Sequence, residues 1–430
     1  MHFILATVGT DGDVFPHIGL GSVLRKRGHR VTLAAPETYR NRAERFDLEF
    51  CPLVTSDEVR QMLADPDLWH PFRSGWMMAR WGGPMIPRQY EALAKLADQS
   101  DSILIANAGV LAARLVQEKR GVPMASLLLQ PGLIPSCTNP PEMPGGVTIP
   151  PWLPHPLRRM YWLGIDAAGY AMVSPPLNRM RRTLGLAPVT RLFRWWLSPD
   201  LVIGLFPNWY APPQPDWPAQ IRLAGFGRFD GASAQLPEEV ETFCNNGPPP
   251  IAFTLGTGMS HAGRFFRAAV AACESIGARA LLLSKFEEIL PRNLPSGIRH
   301  CAYAPFRQLL PHCSAVVHHG GIGTTAAAIE AGCPQLVLPL AWDQPDNAAR
   351  INDLGVGLSL GPRQRSSRHL AQALSKLMRP EFRQRCQVIA QRSVGADGFE
   401  IAADWVEQLR ERADGGAGSI STPKTECGTK

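Results

Sequence analysis

His318 and His319 stand directly before a glycine run, Gly320, Gly321 and Gly323, with Thr324 after it. The apolar residues 315–317 before them read as a strand. Residues 324–330 read as a helix stopped by Gly332 and Pro334, and residues 335–339 as the next strand. A strand, a glycine turn and a helix N-terminus make an anion site, because backbone N–H groups are unpaired there and the helix dipole adds partial positive charge. Glycine lets the backbone approach a phosphate closely. A histidine ring N–H at the strand end can reach a phosphate oxygen. Asp343 and Gln344 follow the next strand, so they fall on the same edge of a parallel sheet, where ligands bind in open α/β folds. A second glycine turn, Gly256-Thr257-Gly258, ends the strand at 251–255 and is expected near the same phosphates.

The elements that must hold these residues come in two series. In the first, a strand at 3–8 leads through a turn at 9–14 to a helix that starts at Pro16, where a missing N–H costs nothing. Strands at 31–34, 102–106 and 124–129 and a helix at 110–119 continue the rhythm. Such alternation predicts a doubly wound parallel sheet. Prolines and glycines dominate 131–156, which predicts long loops over a cleft. Residues 157–186 read as a helix in two pieces, broken at Pro175-Pro176. Six tryptophans, Trp152, Trp162, Trp195, Trp196, Trp209 and Trp217, crowd this part of the chain. Pro212, Pro213, Pro215 and Pro218 then suggest a stiff linker. The expected division is a first domain at 1–210, a linker at 211–224, a second domain at 225–398, a closing helix at 399–413 and a disordered tail at 414–430.

A chain of 430 residues is long for one core, which agrees with two domains. The net charge of +7 fits an anionic substrate or an anionic membrane surface. No lysine–arginine run with interleaved aromatics is present, which argues against nucleic acid. Nine scattered cysteines with no C-x-x-C predict reduced thiols, not a disulfide framework or a zinc site. The N-terminus reaches glycine and acid too soon for a signal peptide, and no uncharged run is long enough for a membrane helix. The expectation is a cytoplasmic protein with room for a peripheral contact at the inner membrane.

Three patterns, His-x-Gly-Gly-x-Gly-Thr at 318–324, Gly-x-Pro at 332–334 and Asp-Gln-x-x-Asn-Ala at 343–348, resemble the donor-sugar motif of inverting nucleotide-sugar glycosyltransferases. That family has two Rossmann-like domains facing across a cleft, the GT-B architecture. The resemblance implies an N-terminal acceptor domain and a C-terminal nucleotide-sugar domain. It places His318, Gly320, Gly321, Gly323, Thr324, Gly256 and Thr257 on the donor diphosphate. It places Tyr303 and Pro305 on the nucleotide base, and Asp343 and Gln344 on the sugar. The loop at 9–19 resembles the Gly-x-x-Gly-Asp-x-x-Pro loop of bacterial antibiotic and sterol-type members; in related families the position of Asp13 holds a histidine that deprotonates the acceptor, and the resemblance implies Asp13 as the base here. Burial beneath an apolar acceptor would raise an aspartate from its model-peptide pKa of about 3.9 toward useful basicity. Asp11-Gly12-Asp13 is also a D-x-D pattern, but a glycine turn and a histidine can neutralise a departing diphosphate, so neither metal nor cofactor is expected.

Within that family, residues 12–20, 65–71, 205–218 and 302–313 resemble the rhamnosyltransferase catalytic subunits of rhamnolipid biosynthesis. This implies a deoxythymidine-diphosphate rhamnose donor and a hydroxylated fatty-acyl acceptor. Trp162, Trp195, Trp209 and Met172 are the expected acceptor contacts. A UDP-glucose-dependent enzyme acting on a sterol, polyketide or other secondary metabolite is the alternative within the family. A sugar-nucleotide epimerase and a silent nucleotide-sugar-binding protein are the rivals outside it.

Overall fold

The computed structural model describes every residue except 99–100, 147–148, 151, 230, 232–234, 257–258, 260–261, 396 and 416–430. Thr257 and nearly all of the expected tail therefore lie outside the described residues.

The first sheet holds β1 (His2–Ala6), β2 (Arg30–Pro36), β3 (Glu49–Val54), β4 (Ser102–Ala106), β5 (Met124–Leu128), β6 (Leu201–Gly204) and β7 (Ile221–Leu223). Their order is β3-β2-β1-β4-β5-β6-β7, and every pairing is parallel. The second sheet holds β8 (Ile251–Phe253), β9 (Ala280–Leu283), β10 (Ile298–Cys301), β11 (Ala315–His318), β12 (Gln335–Val337) and β13 (Gly357–Ser359), in the order β10-β9-β8-β11-β12-β13, again all parallel. Unbroken apolar runs such as Phe3-Ile4-Leu5-Ala6 suit strands covered on both faces. The strand order reverses between β1 and β4 in one sheet and between β8 and β11 in the other. These reversals open the crevices in which such sheets bind ligands.

Seven helices matter here: α1 (Asp11–Lys26), α2 (Ser74–Leu96), α3 (Leu111–Arg120), α4 (His155–Thr183), α5 (Ile322–Glu330), α6 (Gln344–Leu354) and α7 (Gly398–Gly415). α1 starts at Asp11, not at Pro16. Thr10 is its N-cap, and the Asp13 carboxylate accepts the Thr10 N–H at 2.9 Å, so the helix is capped a full turn before the proline. α4 runs unbroken through Pro175-Pro176. Pro176 lies on α2 at Gly83, where a Cβ would come within 2.9 Å of the Pro176 ring, so packing against α2 supports the helix where its own hydrogen bonds lapse. β7 falls within the stretch expected as a linker, and it pairs with β6, so the first sheet closes beyond the proline run.

α7 returns to the first domain. Phe399, Ala402, Trp405 and Val406 share a core with Phe3, Leu5 and Ile18. Arg27 at the end of α1 binds Glu400, Asp404 and Glu407 of α7. A second buried cluster joins the domains directly, with Phe206, Tyr210 and Ile134 against Ala326, Val337 and Ile351.

Candidate active site

Both strand-order reversals are followed by glycine turns, and these turns build the site. After β1, Gly9 adopts φ +131, and a Cβ there would overlap the Asp13 carboxylate. A side chain at position 9 would thus displace Asp13 from the mouth of its helix. Burial pushes the Asp13 carboxyl up to about 6 against the lowering effect of its bonds to Thr10. The side chain therefore caps its helix and is also a stronger base than a solvated aspartate. Asp11, the other acid of the D-x-D, points elsewhere. It accepts hydrogen bonds from Tyr39 and Arg42, both at 2.7 Å, and pairs with Lys285 of the second domain at 3.9 Å. Its charge is already compensated by protein cations.

After β11 the chain turns at Gly320, φ +96, where a Cβ would sit 2.8 Å from Val337 and 3.1 Å from the Gln344 carbonyl. Gly321 is the N-cap of α5, which begins at Ile322 rather than at Thr324. Gly323 and Thr324 lie in its first turn, and nothing stands within 4 Å of a Cβ at Gly323. That turn is open to a ligand, with its backbone N–H groups unpaired.

The two histidines lie in different surroundings. His318 is fully buried, accepts the Gly320 N–H on Nδ1 at 3.1 Å and donates from Nε2 to Gln335 at 3.0 Å. Burial and the neighbouring His319 hold its pKa down at about 3. Both nitrogens are engaged inside the domain, where His318 braces the turn. His319 lies in the crevice between the glycine turns. A Cβ at Gly256 would come within 2.8 Å of its ring and one at Gly321 within 2.7 Å. Burial holds His319 neutral, down at about 4, and its Nδ1 makes no hydrogen bond. Alternation along the strand sends adjacent histidines to opposite sides, and the buried side belongs to His318.

Asp343 precedes α6. Burial, followed by the charge of Asp13 and then that of Asp346, pushes it up to about 7. Asp13 and Asp343 come from different domains, and the Asp13 charge adds to the rise at Asp343. Trp342, just before, adopts φ +60, a strained conformation for a bulky residue. Its indole N–H donates to the Leu68 carbonyl of the first domain at 3.1 Å. Gln344 accepts the Leu340 and Ala341 N–H groups at 2.7 and 3.1 Å. Its carbonyl oxygen is thus committed to its own loop, and only the amide NH₂ is left for a sugar. Tyr303 is exposed, with its hydroxyl close to Gly231, which also lies beside Phe15 of α1. Pro305 caps the short helix Phe306–Leu309.

The expected acceptor residues scatter. Trp195 binds Glu118 of α3 through its N–H, and Arg114 and Arg181 stack on its ring, so it fastens helices together. Trp209 packs on Tyr210 and Phe226 at the junction of the domains. Met172 lies between α4 and Gly75 of α2. Trp162 donates to the Ser136 carbonyl at 2.7 Å and pins the proline-rich loop onto α4. Of these tryptophans, Trp162 and Trp195 use the indole N–H to tie loops and helices together. Exposed large apolar side chains stand on α4, at Leu157, Met160, Leu163 and Tyr170, and at Trp76 of α2 with Phe72 just before that helix.

Residues 3–131 match the glycosyltransferase family 28 N-terminal domain, and residues 281–406 match the C-terminal domain of the erythromycin biosynthesis protein CIII-like family. An uncharacterized glycosyltransferase of Mycobacterium leprae is 30% identical over 440 residues, covering 96% of this chain and 98% of that protein. The O-mycaminosyltylonolide 6-deoxyallosyltransferase of Streptomyces fradiae is 28% identical, covering 96% and 98%. Among solved structures, the spinosyn rhamnosyltransferase SpnG complexed with thymidine diphosphate superposes with a TM-score of 0.66 at 19% identity, covering 95% of this chain and all of that one. The two facing parallel-sheet domains are the GT-B architecture. The chain belongs to the GT-B glycosyltransferases of the family 28 and CIII-like type, and it is a glycosyltransferase.

Proposed function

We propose that the protein transfers a hexosyl group, with inversion, from a nucleoside diphosphate sugar to a hydroxyl of a hydrophobic acceptor. The observation that carries this reading is the glycine cradle of Gly256, Gly320, Gly321 and Gly323 with the His319 ring lodged in it, together with a buried carboxylate on each domain, Asp13 at the mouth of α1 and Asp343 before α6. Asp13 takes the acceptor proton as the acceptor oxygen bonds to the anomeric carbon. The bond from that carbon to the diphosphate breaks as the new one forms. Backbone N–H groups at the start of α5, Thr324 and the His319 imidazole receive the charge that grows on the leaving diphosphate. Asp343 and the Gln344 amide hold sugar hydroxyls, and Tyr303 and Pro305 flank the base. The cradle supplies the compensation a metal would otherwise provide, so turnover needs neither metal nor cofactor.

For the finer specificity we propose dTDP-L-rhamnose as donor and a hydroxy-fatty-acyl lipid as acceptor, as in rhamnolipid biosynthesis. The sequence resemblance of residues 12–20 and 205–218 supports the sugar, as does the likeness to a rhamnosyltransferase that binds thymidine diphosphate. The exposed apolar face of α4 supports the lipid. Arg159, Arg179 and Arg182 are exposed on that helix, and its single acid, Asp166, is buried against Arg191. This composition also suits a peripheral seat on an anionic membrane. No helix among the described residues is long and apolar enough to cross one. The likeness to a 6-deoxyallosyltransferase favours a second reading, transfer to a secondary metabolite such as a polyketide. Release of nucleoside diphosphate from dTDP-rhamnose and UDP-glucose, each with hydroxy-fatty acids of rising length and with a macrolide aglycone, tests both. Turnover that climbs with chain length supports the lipid acceptor. A flat dependence on chain length, or turnover with the aglycone alone, overturns it.

A further inference from the structure

We propose that Tyr210, a residue of the first domain, is a positioning residue of the donor site and acts through Asn347. The proposal rests on the reading of the glycine cradle and Asp343 as that site. Tyr210 lies between β6 and β7, both strands of the first sheet. Its hydroxyl nevertheless donates to Asn347 Oδ1 of α6 at 2.8 Å, and both residues are buried. The Asn347 amide then spends its two N–H donors on the site itself. One goes to the Gly320 carbonyl at 2.8 Å and the other to Asp343 Oδ2 at 2.7 Å.

Each end of this relay has a consequence. In a trans peptide, C=O and N–H point in opposite directions. Fixing the Gly320 carbonyl on Asn347 therefore fixes the direction of the Gly321 N–H, one donor of the cradle. Holding Asp343 Oδ2 sets the carboxylate that faces the sugar and favours its charged form, against burial and the charges of Asp13 and Asp346. Without the tyrosine hydroxyl, Asn347 Oδ1 becomes a buried acceptor with no donor, which is costly enough to turn the amide away from one of its partners. The Tyr210 ring packs on Phe226 at 5.4 Å between centroids, and Arg350 binds its backbone carbonyl at 3.3 Å while holding Asp346. Phenylalanine at 210 keeps all of those contacts and removes the hydroxyl alone.

The test is donor binding by calorimetry on the full chain, for the parent, Tyr210→Phe, Asn347→Ala and the double variant, with dTDP and dTDP-rhamnose from pH 6 to 9. Tyr210→Phe is expected to weaken dTDP-rhamnose about tenfold and dTDP less, and to move the pH midpoint of sugar-nucleotide binding upward. In the Asn347→Ala background the second change should add less than about twofold, since residues that act through one another are not additive. Parent-like affinity and midpoint in Tyr210→Phe overturn the proposal, as do losses that multiply in the double variant. Should Tyr210→Phe fail to fold, Asn347→Ala decides: loss of sugar-nucleotide binding no greater than loss of dTDP binding overturns the relay. If the parent binds no nucleoside diphosphate at all, the donor-site reading falls and the relay falls with it.

Discussion

The two glycine turns that face each other across the cleft share one construction, strand then glycine then helix N-terminus, yet they present opposite chemistry. The turn after β1 places a carboxylate at the mouth of α1, where the helix dipole favours negative charge. The turn after β11 places backbone N–H groups and a neutral imidazole at the mouth of α5 and no acid of its own. A helix N-terminus is an anion site in both cases. In the first domain the anion is built in, as Asp13. In the second the place is open to a ligand. The same local geometry thus puts a buried carboxylate on one wall and open N–H donors on the other, the proposed base and the proposed cradle for a departing anion.

Removing the built-in anion should have the largest effect. Asp13→Asn keeps the acceptor for the Thr10 N–H and removes the base, so transfer should fall about 10³-fold, within the range for a general base, while donor affinity holds. In the parent, transfer should fall with acid below the pKa of about 6 at Asp13. Stability should move the other way. A carboxyl raised from 3.8 to about 6 binds its proton more tightly in the folded state, so its contribution is full below pH 3.8 and is lost as pH rises through 6. Asp13→Asn should therefore be more stable than the parent at pH 8, by roughly 1–3 kcal/mol. Retained turnover, or a variant less stable at pH 8 than at pH 4 relative to the parent, would leave Asp13 as a cap and no more.

The opposite wall offers a sharper comparison, because its adjacent histidines do different work. His319→Ala should lower turnover about 10²-fold, by the loss of one donor to a growing negative charge, with a smaller loss in donor affinity and little change in Tm. His318→Ala should lower Tm, since it leaves the Gln335 oxygen and the Gly320 N–H unpaired in the core. Steady-state kinetics beside thermal melts would separate them. If His318→Ala loses turnover at unchanged Tm while His319→Ala is silent, the diphosphate contact belongs to His318.

What the sequence revealed of this site follows the reach of each interaction. The glycine turns, the parallel strands and the acid at position 13 are local features, set by φ, by apolar runs and by one helix mouth. They were readable within a dozen residues. β3 carries Pro52, and the short strands β10 and β13 carry Arg299 and Gly357, so they gain strand form only from their neighbours. α2 is interrupted in sequence by Gly82, Gly83, Pro84 and Pro87, and it is held by α4. The choice between His318 and His319 turned on Gln335, a residue of another strand. Tyr210 was visible only as part of a conspicuous Asn-Trp-Tyr-Ala-Pro-Pro stretch, and its target lies 137 positions away. Tryptophan content does not by itself mark a ligand groove, because an indole N–H serves packing as readily as ligand binding.

The smallest expected effect concerns the surface where the two domains differ most in finish. The donor half ties its site with buried hydrogen bonds through Asn347, His318 and Gln344. The first domain instead leaves an apolar face of α4 in solvent, with Leu157, Met160 and Leu163 at helical spacing and Met160 64% exposed. If an acyl chain lies along that face, each methylene covered contributes roughly 0.8 kcal/mol, and one leucine contact is worth about that much. Leu163→Asp should then raise the KM for a long-chain acceptor about fivefold. It should leave the KM for the donor, and turnover of a short soluble acceptor, as they are. The position is exposed in the free protein, so Tm should not fall. A KM that rises equally for long and short acceptors would mean that the substitution disturbs Asp13 or the fold. An unchanged KM for every chain length would take the acceptor off α4, to be sought under the proline-rich loop that Trp162 holds down.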